Sequence, residues 1–230
     1  MVSGPQSLIF DADDTLWENN IYFERAFEEF AGFLGHSVLD RMQVRAVLDE
    51  IESANAKVHG YGSANFGRNL KQTYERLAER AIRPDDLTTV MRFAERILEH
   101  PVQLIDGVSE TIAELAARHE LTMFTKGHPD EQRLKIQRSG LAEYFVHTEI
   151  AREKDRESYQ RLIRARKFEP ARTWMIGNSP KSDINPALAA GLNAVFVPHA
   201  HTWVLEHQEI REAAGRLVRV ERISDLRNWF

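Results

Sequence analysis

The stretch that decides the fold is Leu8-Ile-Phe-Asp-Ala-Asp-Asp-Thr-Leu16, close to the start of a chain of 230 residues. The run Ser7–Phe10 has the apolar character of a buried parallel strand, and Asp11, Asp13 and Asp14 follow it at once. Carboxylates crowded at the end of a buried strand repel one another unless protons or a cation neutralise them. One Asp would suffice to cap a following helix. Three carboxylates therefore predict a cation site, and oxygen ligands of this kind suit Mg²⁺.

Further short apolar runs predict the rest of a sheet, with helices between most of them. The runs occupy residues 121–124, 144–146, 173–176, 194–197 and 217–220, the last as an edge strand. Helical patterns cover residues 108–116, 129–139, 157–167 and 184–190. Strands that alternate with helices require right-handed crossovers, and ligands then bind beyond the carboxyl ends of the strands. The sequence therefore predicts an α/β fold with a doubly wound, Rossmann-like parallel sheet.

Residues 16–101 interrupt this alternation, because they show only helical periodicity. They include one apolar helical face, formed by Phe23, Phe27, Phe30 and Leu34. A glycine-rich run at residues 59–67 is typical of a connection between helices. An insertion of this length exceeds the ordinary connection within a compact domain. We therefore expect a core of residues 1–15 and 102–230 and an all-helical cap domain of residues 16–101.

The composition is that of an ordinary globular protein and excludes several classes. Hydrophobic residues make up 43% and charged residues 28%, which is too apolar for a disordered chain. No apolar run approaches the roughly 18–20 residues of a membrane-spanning helix, and no secretory signal is visible. The chain has no cysteine, which removes disulfides and thiolate chemistry. A net charge of −5 without a basic run disfavours nucleic acid, and we expect a cytoplasmic protein.

The spacing Asp11-Ala-Asp13-Asp-Thr15 resembles the first motif of the haloacid dehalogenase (HAD) superfamily, DxDxT after an apolar strand. In that family the first Asp attacks phosphorus to give an aspartyl-phosphate. The second Asp acts as an acid toward the leaving oxygen and then as a base toward water. The resemblance implies these two roles for Asp11 and Asp13.

The segment Leu121-Thr-Met-Phe-Thr125-Lys-Gly127 resembles the second motif of the family. The resemblance implies that the Thr125 hydroxyl binds a phosphate oxygen. It also implies that the backbone N–H groups of Lys126 and Gly127 assist.

Lys154 stands where the third motif of the family supplies a lysine. The resemblance implies that its ammonium group neutralises both the nucleophile and the phosphate. Arg152 and Arg156 are nearby alternatives for this cation.

The segment Trp174-Met-Ile-Gly177-Asn178-Ser179-Pro-Lys-Ser182-Asp183 resembles the fourth motif, with one departure. Family members usually carry acidic residues both directly after the glycine and five positions further on. Here the first of these is Asn178, whose amide oxygen can bind Mg²⁺ but brings no charge. The resemblance implies a Mg²⁺ site formed by Asp11, Asp13, Asp183 and Asn178, with Asn178 bound directly or through water.

The second acid of the first motif favours hydrolysis of a phosphate ester. Halide leaves without a proton, and haloalkanoic dehalogenases as a group lack this acid. We expect a Mg²⁺-dependent phosphatase acting on a small phosphorylated metabolite, with a phosphomutase or a haloacid dehalogenase as alternatives. Two alternatives belong to other functional classes. One is a phosphoacceptor module, but the DxDxT spacing argues against it. The other is a catalytically silent binding protein, which only Asn178 supports. The sequence leaves the natural substrate and the oligomeric state open.

The helical insertion between the first two motifs is similar to the C1 type of cap, so we expect it to select the substrate. Trp17 and Tyr22 lie near its start, and Tyr61, Asn65 and Arg68 lie in or beside the glycine-rich run. Together these side chains could stack on a small substrate or form hydrogen bonds with it.

A His-x-His pair, His199 and His201, follows the fifth predicted strand. Its spacing is compatible with a transition-metal site, but no third and fourth ligand is apparent beyond His207. We therefore expect an ordered loop here.

Overall fold

The computed structural model describes residues 4–211 and 213–230 and divides the chain into two compact units. The first unit combines Met1–Glu18 with Val102–Phe230, and the second is Asn19–Pro101. Residues 16–18 therefore group with the first unit, whereas the sequence analysis assigns them to the helical domain. Backbone pairing explains the difference. The Glu18 N–H donates to the Gln103 carbonyl oxygen at 2.9 Å, and Trp17 forms a bridge with Leu104.

The first unit is built on a six-stranded parallel sheet. Its strands are β1 (Ser7–Phe10), β2 (Glu120–Lys126), β3 (His147–Ala151), β4 (Thr173–Gly177), β5 (Asn193–Phe196) and β6 (Leu217–Arg219). Their order across the sheet is β3-β2-β1-β4-β5-β6, and all neighbouring strands run parallel. The predicted doubly wound, Rossmann-like sheet is confirmed, with β1 in its middle.

Both faces of β1 are covered, as its continuous apolar sequence predicts. Leu8 and Phe10 pack in one cluster with residues of α5 (Val108–Ala116). Ile9 packs on the opposite face with residues of α7 (Arg156–Arg166). Successive side chains of a strand point to opposite faces, so a strand between two helical layers is apolar at every position.

Three more helices complete the first unit. They are α6 (Pro129–Ser139), α8 (Asn185–Ala189) and α9 (Leu226–Trp229). α6 has the predicted bounds, because Pro129 suits the first turn and Gly140 adopts a left-handed φ of 71° just after the last turn. A π-helical turn, Pro180–Ile184, leads into α8, where the sequence predicts one helix from residue 184.

One predicted strand is displaced along the chain. The apolar run 144–146 is not a strand, because Tyr144 closes the short 3₁₀ helix Ala142–Tyr144 and Phe145 turns into the core against Phe10. The strand is the polar segment that follows, β3, whose residues are only partly buried or exposed. β3 lies at the sheet edge, where one side of a strand faces solvent and no apolar run is required.

The second unit, all of whose residues are described, consists of helices. They are α1 (Asn20–Leu34), α2 (Arg41–His59), α3 (Ser63–Leu77) and α4 (Pro84–Glu95), followed by the 3₁₀ turn Arg96–Glu99. Their apolar faces form one buried cluster that includes Phe30, Leu48, Leu70 and Val90. Among the helices described in either unit, none has the length and apolar character needed to cross a membrane.

The glycine-rich run is mostly helical rather than a connection, which corrects the sequence analysis. Only residues 60–62 link α2 to α3, and Gly60 and Gly62 have φ values of 75° and 113° that favour glycine. Gly67 lies inside α3, where a Cβ atom would come within 3.0 Å of the Met91 side chain. Glycine therefore avoids a tight contact where α3 packs against α4.

Candidate active site

The carboxyl ends of β1, β2 and β4 meet at one edge of the sheet and bring the predicted motifs together. Asp11 follows β1 directly, and its N–H donates to the Ile176 carbonyl oxygen of β4 at 2.9 Å. Lys126 ends β2, and Asn178 follows β4. Three segments that are distant in the sequence therefore present their polar residues at the same place.

Lys154 lies between the carboxylates of Asp11 and Asp183. Its ammonium group donates to Asp11 Oδ1 at 2.8 Å and to Asp183 Oδ1. The side chains of Lys154 and Asp183 are each 1% exposed. Two carboxylates thus share one buried cation, contributed by the segment between β3 and α7.

Burial and charge shift the pKa values in this group. Burial raises the pKa of Asp183 to about 7, and the negative charge of Asp11 adds to the rise while Lys154 opposes it. Burial acts to lower the pKa of Lys154, but the two carboxylates outweigh it and raise that pKa above its ordinary value. Burial is the main cause of the raised pKa of Asp183, and a further cation close to this carboxylate would favour its ionised form.

Thr15 and Asn178 connect the first motif to the fourth. The Thr15 hydroxyl lies 3.1 Å from both Asp11 Oδ2 and Asn178 Oδ1, and it accepts the Asn178 backbone N–H at 3.2 Å. The Asn178 amide nitrogen donates to the Thr202 hydroxyl at 2.9 Å. The amide oxygen of Asn178 therefore faces the side of Thr15 and Asp11, where an ion would be bound.

The residues gathered here fit a Mg²⁺ ion by the chemistry of their donors. Asp11, Asp183 and Asn178 offer only oxygen atoms, which this hard cation prefers, and two of them are carboxylates. Asp13, the fourth predicted ligand, has a separate set of partners for its side chain.

Three side chains hold the Asp13 carboxylate. The Trp17 indole N–H donates to Oδ1 at 2.7 Å, and the Gln132 amide donates to Oδ2 at 2.8 Å. The Lys135 ammonium lies 2.6 Å from each oxygen. Gln132 and Lys135 lie outside the predicted motifs, although their spacing of three on α6 places them on one helix face. That spacing, on the helix after the second motif, was the available signal.

The prediction that Trp17 contacts substrate from the helical domain needs correction. Trp17 belongs to the first unit and is 0% exposed. A buried indole needs a partner for its N–H group, and Asp13 supplies one. Trp17 therefore supports Asp13 from within the core.

Gly127 leaves the space that Gln132 occupies. A Cβ atom at Gly127, where φ is 155°, would lie 2.6 Å from the Gln132 amide nitrogen. Gln132 can therefore bond both to Asp13 and to the Thr125 hydroxyl, which donates to its amide oxygen at 3.3 Å. The Gly127 N–H, predicted to bind phosphate, donates instead to the Ala151 carbonyl oxygen at 3.3 Å. The backbone N–H of Gly127 is thus hydrogen-bonded to the end of β3.

The Lys126 side chain belongs to a buried ionic network. Its ammonium group lies 2.6 Å from Glu206 Oε1 and 2.9 Å from the Ser182 hydroxyl. Glu206 Oε2 accepts the Ser179 hydroxyl at 2.5 Å. Glu206, which lies outside the predicted motifs, therefore ties the end of β2 to the π-helical turn that carries Asp183.

A second acidic cluster lies next to the first motif. His199 Nδ1 is 3.8 Å from Asp14 Oδ1, and His199 Nε2 is 3.4 Å from Glu18 Oε2. One ligand atom from each of these three residues lies within 4.8 Å of the other two. His199 thus brings the loop after β5 next to the first motif.

The other predicted specificity residues lie in the helical unit. Tyr22 is buried and stacks on His100, with ring centroids 4.5 Å apart. Asn65 is buried and donates to the Gly60 carbonyl oxygen at 2.7 Å. Tyr61 is partly buried and Arg68 is exposed. Their role in selecting substrate stays a prediction.

Comparison with known proteins relates the chain to one family. Residues 6–191 match the family model of the haloacid dehalogenase-like hydrolases. A haloacid dehalogenase-like family hydrolase from Xanthomonas campestris is 33% identical, with a TM-score of 0.84 over 96% of this chain and 88% of that chain. The L-2-haloacid dehalogenase from Xanthobacter autotrophicus is 15% identical, with a TM-score of 0.66 over 97% of each chain, which indicates a shared fold.

A phosphoserine phosphatase is also similar to the chain. The protein from Thermus thermophilus is 27% identical over 216 residues, which cover 91% of this chain and 80% of that protein. The similarity therefore extends across both units.

Proposed function

The chain belongs to the haloacid dehalogenase-like hydrolases, and on that premise we propose that it is a Mg²⁺-dependent phosphatase for a small phosphorylated metabolite. The observation that carries the proposal is the Asp11 carboxylate at the end of β1, 2.8 Å from the buried Lys154 ammonium. A cation in contact with a carboxylate nucleophile lets a dianionic phosphate approach it, because the like charges are offset.

Asp11 is the proposed nucleophile. Its carboxylate oxygen forms a bond to phosphorus while the bond from phosphorus to the leaving oxygen breaks, which gives an aspartyl-phosphate. Thr15 holds the Asp11 side chain through its hydroxyl at 3.1 Å. Water then attacks the same phosphorus, which releases phosphate and restores Asp11.

Asp13 is the proposed general acid and base. It gives its proton to the leaving oxygen in the first step and takes a proton from the attacking water in the second. Besides Lys135, two N–H donors keep the Asp13 carboxylate in place, because Trp17 binds one of its oxygens and Gln132 binds the other.

Phosphate and metal contacts complete the proposal. The Thr125 hydroxyl, the Lys126 backbone N–H and the Lys154 ammonium group would bind the phosphoryl oxygens. Asp11, Asp183 and Asn178 would hold Mg²⁺, with Asp13 as a further candidate ligand. The bound ion would withdraw charge from the phosphoryl group.

Two observations support a phosphatase over a dehalogenase. A halide needs no proton when it leaves, so a supported acid such as Asp13 serves the hydrolysis of an ester. The phosphoserine phosphatase of Thermus thermophilus, 27% identical, supports a small phosphorylated substrate. A phosphomutase would use the same nucleophile and return the phosphoryl group to a sugar.

The test is a panel of phosphorylated metabolites and p-nitrophenyl phosphate, assayed for phosphate release by the full chain. We expect release with Mg²⁺, loss of release with EDTA and recovery on adding Mg²⁺. Halide release from 2-chloropropionate, without phosphate release, would contradict a phosphatase. Transfer to a sugar rather than to water, seen by product analysis, would identify a mutase. Activity unaffected by EDTA would remove the metal from the mechanism.

A further inference from the structure

Lys135 is the partner of Asp13 that the proposed reaction leaves without a role. Its ammonium group lies 2.6 Å from both carboxylate oxygens. The Lys135 side chain is 17% exposed and that of Asp13 is 19% exposed, so the pair is only partly open to solvent. Lys135 stands one helical turn after Gln132 on α6, and one helix face therefore presents two donors to the same carboxylate.

Lys135 differs from the other two donors in reach and in charge. Trp17 bonds only Oδ1 and Gln132 only Oδ2, whereas Lys135 contacts both oxygens. Of these three donors it alone is a cation, so only its contact with the Asp13 carboxylate pairs two opposite charges. Rotation of the Asp13 carboxylate would therefore break the contacts that Lys135 makes with its two oxygens.

We propose that Lys135 is a positioning residue for Asp13, a role that rests on the phosphatase activity proposed above. As the bond from phosphorus to the leaving oxygen breaks, the electron pair stays on that oxygen and the Asp13 proton moves to it. Asp13 is left as a carboxylate, which then takes a proton from the attacking water. Lys135 stabilises this carboxylate and holds it in place for both transfers.

The role has a consequence that an ordinary ion pair lacks. A leaving oxygen that forms a stable anion needs little help from an acid, whereas a more basic one needs a proton as its bond breaks. Loss of Lys135 therefore slows esters with basic leaving groups most. An ion pair that only held α6 against the loop after β1 would affect all esters alike and would change stability slightly.

The experiment compares two esters of similar size in the full chain with Mg²⁺. Phenyl phosphate has the more basic leaving group, and p-nitrophenyl phosphate has the more stable one. We expect Lys135→Met to lower kcat for phenyl phosphate about tenfold or more beyond its effect on p-nitrophenyl phosphate, with little change in KM. Lys135→Arg should recover much of the loss, because a guanidinium group can donate to both oxygens.

The matched control is Arg133→Met. Arg133 lies on the same helix and pairs with Asp130 at 2.7 Å while 67% exposed, so its loss removes the same charge without touching Asp13. We expect this variant to match the parent on both esters. Lys135→Gln, which keeps an N–H donor without the charge, is the second variant if Met impairs folding, and the same selective loss is expected.

Three outcomes would overturn the proposal. An equal loss on both esters would show that Lys135 has only a structural role. A selective loss in Arg133→Met would assign the effect to the overall charge of α6. A parent protein inactive on both esters and on the metabolite panel would refute the phosphatase itself, and the role of Lys135 with it.

Discussion

The Lys154 ammonium group donates to the Asp183 carboxylate where neither side chain is more than 1% exposed. Asp183 Oδ2 also accepts the Ser179 backbone N–H at 2.9 Å, so the carboxylate is held from both sides. Burying such a pair costs much of what its attraction contributes. The arrangement is therefore better explained by the reaction proposed at Asp11 than by stability.

Asp11→Asn is expected to lower kcat for hydrolysis of p-nitrophenyl phosphate by about a thousandfold or more, because a neutral amide cannot replace the carboxylate as the attacking group. The fold should be retained, since Asn has the same size and can still accept from Thr15. Phosphate release and circular dichroism measure the two effects. Asp130→Asn, at an exposed position on α6, is the control. Turnover close to that of the parent would remove Asp11 as nucleophile.

Lys154→Met is expected to lower the free energy of unfolding by about 3–5 kcal/mol in EDTA, because two buried carboxylates lose their cation. Adding Asp11→Asn to this variant should restore part of the loss, since one of the two charges is then gone. Urea denaturation measures the free energy of unfolding of the single and the double variant. Lys181→Met is the control, because the Lys181 ammonium group is exposed and bonds only the Leu205 carbonyl oxygen in the contacts described. Similar losses in the two Met variants would contradict the shared-cation arrangement.

Gly177→Ala is expected to disturb the site from the end of β4. A Cβ atom there would lie 2.8 Å from the Asp183 Cβ, and the Asp183 backbone is held by its N–H bond to the Ser179 carbonyl oxygen at 2.9 Å. Overpacking of this kind costs about 1–3 kcal/mol, and we expect the displaced carboxylate to lower kcat at least about tenfold. Thermal unfolding and p-nitrophenyl phosphate turnover measure the effects.

Gly32→Ala is the matched control for that substitution. Gly32 lies within α1, and nothing lies within 4 Å of a Cβ atom placed there. Alanine favours helix over glycine, so this variant should be neutral or more stable by up to about 1 kcal/mol. Equal behaviour of the two variants would show that Asp183 does not need the space at Gly177.

Glu206→Gln tests the network around Lys126 through its dependence on pH. Burial acts to raise the pKa of Glu206, but Lys126 and the hydroxyls of Ser179 and Ser182 outweigh it and lower the pKa below the ordinary 4.5. A carboxyl group with a lowered pKa stabilises the fold above its ordinary pKa and loses that contribution as the pH falls through the folded value. The variant should therefore be less stable than the parent near neutral pH, by about 1–3 kcal/mol.

The difference in the free energy of unfolding between the parent and Glu206→Gln should become smaller as the pH falls below 4.5, the ordinary pKa of the Glu206 carboxyl group. Urea denaturation across this range measures it. A difference that stays constant with pH would mean that the charge of Glu206 does not stabilise the network.

Local patterns predicted the elements that are buried on both faces or clearly bounded. β1 is apolar at consecutive positions because helices cover both of its faces, and α6 is bounded by Pro129 and Gly140. β3 was misplaced because an edge strand carries no such pattern. The start of α3 was not predicted, because Gly67 is typical of a connection, whereas in the structure it lies inside α3, close to the Met91 side chain of α4.

The sequence by itself determined the α/β class, the family and the residues at the carboxyl ends of the strands, because these depend on local patterns and short motifs. Only the tertiary structure decided which side chains meet there. Lys154 joins Asp11 to Asp183, Lys135 and Trp17 hold Asp13, and Glu206 holds Lys126. The reason is physical, since a hydrogen bond depends on where two chain segments lie after folding. The spacing of Gln132 and Lys135 places both on one face of α6, but the partner of that face, Asp13, lies 2.6 Å from Lys135 only after folding, as Lys126 lies 2.6 Å from Glu206.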